Sequence, residues 1–150
     1  MRKVADYVVR GQVTSADSGG HRIQLFDGKF NTGYRITKFE IANSNRTTTS
    51  VVIGSAKLTT EPSTDNGNWD WGDVTELAWA SCAWDGNGIS TQNPNTVIDP
   101  DNMIVEDLYV SVESNIEQGY NYIIHFEKYE FAAWDGAGFL VRNNSQAGPQ

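Results

Sequence analysis

Every second residue of one stretch is large and apolar: Tyr120, Tyr122, Ile124 and Phe126 alternate with Asn121, Ile123, His125 and Glu127, and the pattern runs on through Tyr129 and Phe131. Side chains of a strand point alternately to its two faces, so this run reads as a long half-buried strand. The same period recurs near the start, where Tyr7, Val9, Gly11 and Val13 alternate with Val8, Arg10 and Gln12. Ile23 and Leu25 make a second strand ending at the turn Phe26-Asp27-Gly28. A third strand is expected from Tyr34 to Ala42. Its facing slips midway, from Tyr34 and Ile36 to Phe39 and Ile41, which indicates a bulge or burial on both faces. Val51–Leu58 is a fourth. Ile104, Leu108, Val110 and Val112, with Glu106 among them, share one face of another strand, and Val105, Asp107, Tyr109 and Ser111 take the other. Val110, Val112, Tyr122, Ile124 and Phe126 are the expected core.

Ser15–Gly20, Asn43–Thr49, Glu61–Asp73 and Asp85–Pro100 are polar and turn-rich, the last with a short strand at Thr96–Ile98. Leu77–Trp84 fits either a strand or a short helix. Glu113–Gly119 is long enough for a hairpin loop, and every connection is too short for a parallel crossover. At 39% apolar residues, against a usual level of about 45–50%, the balance is made up by Asn, Thr, Ser and Gly. The expected fold is therefore an all-β, antiparallel sandwich or jelly-roll-like single domain. Residues 1–133 would form it, and 134–150 a C-terminal arm carrying the apolar anchors Trp134, Phe139, Leu140 and Val141. The competing expectation is that Phe139–Val141 adds one more edge strand.

The net charge of −8 hides an asymmetry. Residues 1–60 hold nine Lys/Arg against four Asp/Glu, and residues 61–150 hold two against fifteen. Early and late strands paired in one sheet would set these charges opposite one another; a dipolar surface stacking copies head to tail is the other reading. Basic residues are scattered singly in an acidic chain, which disfavours nucleic acid as a partner. No run approaches the roughly 20 apolar residues of a spanning helix. Asp6 and Arg10 interrupt the apolar stretch after Met1-Arg2-Lys3, so no signal peptide is expected, and the chain should be made in a cytoplasm and stay soluble or leave by a route other than secretion. The one cysteine, Cys82, sits among apolar residues and reads as a buried, inert thiol.

Catalytic motifs are absent: no phosphate-binding glycine loop, nucleophile elbow or zinc-ligand spacing occurs. Glu106, Asp107, Glu127 and Glu130 could pair two carboxylates, but alternation sends neighbours to opposite faces. His21 lies in a turn and His125 in a strand. Asp99-Pro100-Asp101-Asn102 and Asp65-Asn66-Gly67-Asn68-Trp69-Asp70 offer oxygens, yet neither has the glycine and glutamate positions of a calcium loop. Turn chemistry accounts for both, so neither metal nor cofactor is expected. Ala83-Trp84-Asp85-Gly86-Asn87-Gly88 and Ala133-Trp134-Asp135-Gly136-Ala137-Gly138 are two similar turns. Five tryptophans near loops either plug the ends of the sandwich or anchor contacts with protein or glycan. The interface candidates are Trp69, Trp71, Trp84, Trp134, Phe139, Leu140 and Val141. Such a chain reads as a structural or binding protein, not an enzyme.

Four stretches, Asp27–Arg35, Glu76–Ala80, Val97–Val110 and Asn121–Glu130, resemble a group of small proteins encoded by marine bacteriophages. The resemblance spans about residues 27 to 130 and transfers no binding residues; 131–150 looks like an addition. It implies a virion structural protein assembled in a bacterial cytoplasm. The expected role is a minor capsid, cement or decoration subunit that packs on a major capsid protein and forms homo-oligomers. The alternative is a host-recognition or glycan-binding module of a spike or fibre, working through the tryptophan loops.

Overall fold

A computed structural model describes residues 1–14, 20–62, 68–85, 90–92 and 96–132. Nine strands occur among them and no helix: β1 (Arg2–Thr14), β2 (His21–Ile23), β3 (Thr32–Asn43), β4 (Val52–Thr59), β5 (Glu76–Trp84), β6 (Ser90–Gln92), β7 (Val97–Ile98), β8 (Leu108–Ser114) and β9 (Gly119–Glu130). They form two antiparallel sheets. The smaller has the order β1-β9-β3, and the larger β2-β8-β4-β5-β6, with β7 also on β5. First pairs with last and second with second-to-last, the nested wrapping of a jelly roll.

The alternating face of β9 is the centre of the core. Tyr120, Tyr122, Ile124 and Phe126 are buried against Leu108, Val110 and Val112 of β8 and Ala56 and Leu58 of β4. All five residues expected in the core are there. The slip in β3 is a bulge: register shifts between Ile36 and Lys38, so Ile36 pairs with Phe126 and Phe39 with Ile124, both facing inward. Thr37, the extra residue, donates its hydroxyl to the His125 carbonyl (3.2 Å).

One open expectation is decided and two change. Leu77–Trp84 is strand, because β4 pairs along one side of β5 and β6 and β7 along the other, taking its backbone groups. The strand expected from Ile104 starts only at Leu108. Ile104 instead exchanges both backbone hydrogen bonds with Tyr34 (2.8 Å each), so the chain touches the smaller sheet before joining the larger. The segment after β8 is no hairpin loop, since it carries the chain from the larger sheet to the smaller. Asn115 braces that crossing by accepting from Ile53 N and donating to Val51 O (2.9 Å each).

The charge asymmetry resolves as strand pairing. Basic β1 lies on acidic β9, with Arg2–Glu130 at 2.6 Å and Lys3–Glu127 at 2.8 Å, and Arg22 of β2 pairs with Asp107 beside β8. Exposed pairs of this kind contribute little to stability, because solvent screens them. They fix register more than stability.

Candidate interface site at the tryptophan loop

Lys57 alternates with the inward-facing Ala56 and Leu58, so it points to the outer face of the larger sheet, as does its cross-strand partner Trp79. An outward lysine would ordinarily be solvated. Here the segment Asn68–Thr75 folds back over it. The Glu76 carboxylate accepts from Lys57 Nζ (3.1 Å), Trp79 Nε1 (2.8 Å) and the Asp70 backbone N–H (3.0 Å), and Lys57 Nζ also donates to the Asn68 carbonyl (2.9 Å). Both charged side chains are buried. Two aspartate-capped turns complete the segment: Asp70 accepts from Gly72 N, and Asp73 from the backbone and hydroxyl of Thr75. This is a loop whose backbone is held at several points from beneath.

Trp71 stands on it. Its ring lies 5.8 Å from that of Trp79, tilted by 58°, and the residue is 66% exposed. Trp69 is half-buried, with an indole N–H that is out of solvent and has no acceptor among the described residues. Of these two interface candidates Trp71 is exposed and Trp84 is buried. Trp84 is 9% exposed, donates its N–H to the Thr48 carbonyl (3.0 Å) and carries the Arg46 guanidinium 4.4 Å over its ring. It plugs an end of the sandwich, the other role expected of the tryptophans. Trp134, Phe139, Leu140 and Val141, the proposed arm and the second Trp-Asp-Gly turn lie outside the described residues.

The structure adds apolar residues that the sequence did not single out. Val51, Ile53 and Ile116 are exposed, the first two at 55% and 56%. Ile53 shares the outer phase of β4 with Ser55 and Lys57. Between Ile53 and the tryptophan loop, that face shows the small, half-buried side chains of Ser55, Ser81 and Ala83. The signal was present, since both phases of Val51–Ile53 are β-branched, but both phases apolar reads equally as double burial.

Three of the four carboxylates considered for a catalytic pair are tied up separately, and Glu106 is exposed. Asp107 accepts from Arg22 and from Leu25 N and Phe26 N, Glu127 binds Lys3, and Glu130 binds Arg2. Asp99 caps Asp101 N (3.0 Å). The buried Asn102 amide pairs with the Ile36 backbone, accepting at 2.7 Å and donating at 3.3 Å, which is turn and strand chemistry. Among the described residues, no group of three or more His, Cys, Asp or Glu could hold a metal ion. A groove of about 990 Å³ lies on the outer face of the smaller sheet, lined in part by Arg10, Gln12, Lys38, Glu40, Asn121 and Ile123.

No family model, curated protein or solved structure matches this chain.

Proposed function

We propose that this chain is a virion structural protein, a minor capsid, cement or decoration subunit that packs on a major coat protein through the outer face of its larger sheet. One observation carries the reading: Trp71 is two-thirds exposed while the loop beneath it is clamped by a buried ion pair. An aromatic side chain already held in place loses little conformational freedom on binding, which is the property of an interface anchor. Ile53 is a second exposed apolar residue on that face, beyond the small side chains of Ser55, Ser81 and Ala83. The resemblance to bacteriophage proteins and the jelly-roll wrapping, a fold used in viral capsids, point the same way.

The test is Trp71→Ala in the virus that encodes the chain. Its melting temperature should stay within about 2 °C of wild type, because an exposed ring contributes little to the fold. Its occupancy on purified particles should collapse. The same exposed ring also suits stacking on a sugar, the chemistry of a host-recognition module. That alternative gives full occupancy of the variant on particles together with loss of adsorption to cells.

A further inference from the structure

Strand β1 is an edge of the smaller sheet. It is the longest strand of the fold at 13 residues, and β9 alone pairs with it among the described residues. Edges of this length are usually blunted, because their unpaired backbone groups recruit other strands. β1 instead displays apolar side chains: Val8 is 54% exposed and Tyr7 46%. Its register on β9, with Asp6 opposite Glu127, Val8 opposite His125 and Arg10 opposite Ile123, sets Asp6, Val8 and Arg10 on the outer face of that sheet. Arg10 makes no ion pair among the described residues, and the side chain of Asp6 is 75% exposed despite its contact with Lys3.

We propose that β1 is a self-association edge: two copies pair their β1 strands antiparallel about a two-fold axis at Val8, joining two three-stranded sheets into one of six strands.

The choice of partner rests on charge complementarity within the strand. With Val8 facing Val8 of the partner subunit, Asp6 faces the partner's Arg10 and Arg10 faces the partner's Asp6. The axis thus generates two ion pairs flanking an apolar contact on the same face. Tyr7 and the partner's Val9 meet on the opposite face, and the small residues Ala5 and Gly11 meet at the ends. A continuous sheet must keep outer faces together, so only registers shifted by an even number of residues compete. Centring on Tyr7 sets Asp6 against Val8 and Arg10 against Val4. Centring on Val9 sets Asp6 against Gln12 and Val8 against Arg10. Centring on Asp6 sets two carboxylates face to face. Val8 is the centre that matches both charges. The register break between Lys3 and Ala5 limits the pairing to Ala5–Gly11.

The proposal does not depend on the virion reading, since β1 lies in the smaller sheet and Trp71 stands over the larger. The test is sedimentation of the full chain with charge-swapped variants. Wild type should show a concentration-dependent dimer. Asp6→Arg and Arg10→Asp each turn two attractive pairs into two repulsive ones, and each should weaken the dimer by about tenfold or more. The double variant restores both pairs in reverse and should return to within about threefold of wild type, because the pair geometry is symmetric. Val8→Cys supplies an independent reading without a charge change. Facing residues of an antiparallel pair lie about 4.5–5.5 Å apart at Cα, within the reach of a disulfide. Oxidised glutathione should therefore trap a covalent dimer of Val8→Cys but not of Val8→Cys combined with Asp6→Arg. A monomeric wild type, a double variant as weak as the singles, or a Val8→Cys protein that stays monomeric under oxidant would each overturn the proposal.

Discussion

The ammonium of Lys57 and the carboxylate of Glu76 lie 3.1 Å apart on the outer face of a sheet, with side chains only 3% and 4% exposed. Removing one partner strands the other charge out of water, which costs about 3–5 kcal/mol. Glu76 also receives the Asp70 N–H, so the loop carrying Trp71 depends on it. Glu76→Gln should therefore lower stability by several kcal/mol and loosen the loop. Denaturant unfolding measures the first effect, and Trp71 fluorescence quenching by acrylamide the second. A Lys57→Met, Glu76→Gln double variant should be less destabilised than the sum of the singles, because it leaves no bare charge behind.

Gly54 sits under the ring of the fully buried Tyr120, whose hydroxyl is bonded to Ser114 (2.6 Å). A Cβ built on Gly54 would come within 2.6 Å of that hydroxyl oxygen. Core overpacking typically costs about 1–3 kcal/mol. Gly54→Ala should fall in that range by chemical denaturation, with Tyr120 fluorescence and near-ultraviolet dichroism perturbed. A variant as stable as wild type would mean that the ring does not rest on the β4 backbone.

The Glu127 carboxyl is held below its ordinary value of 4.5, first by the hydrogen bond from Lys3 and then by that from the Tyr129 hydroxyl, against desolvation and the nearby Asp6. A carboxyl with a lowered folded-state pKa stabilises above its unfolded value and loses that contribution as pH falls through the folded one. The melting-temperature gap between wild type and Glu127→Gln should be positive near neutral pH and shrink progressively below pH 4.5. The pair is near the surface, so the gap should be small and should narrow further in high salt.

Burial pushes the Cys82 thiol up, against weaker opposing contacts from the Asn43 and Gly54 backbone and from Arg46. A thiol 3% exposed and kept protonated is a poor nucleophile. Iodoacetamide should leave the native protein unlabelled at mildly alkaline pH and label it fully in denaturant. Rapid native labelling would show that β5 opens readily.

What could be read from the residues was whatever depends on a local period. β9 announced itself by alternation, and the β3 bulge by a slip in phase. The identity of the sheet that a strand joins is not local. Ile104 shares the phase of Leu108 in the sequence, yet its backbone bonds to Tyr34 on the other sheet. Lys57 reads as a solvated lysine, because nothing in its own strand shows that Asn68–Thr75 will fold over it. Trp71 and Trp84 both sit beside Asp and Gly and are indistinguishable by neighbours. Only the packing of Trp84 under Arg46 and Thr48 separates a core plug from an exposed anchor.

The proposed role is that of a structural component of a virus particle, held there through the Trp71 face. Quantitative mass spectrometry of gradient-purified particles, combined with cryo-electron microscopy of the same sample, tests it most directly. That role predicts many copies per particle, arrayed on the shell, with Trp71 buried against the coat protein. Absence of the chain from purified particles would contradict it, and so would a shell-bound subunit whose Trp71 faces solvent.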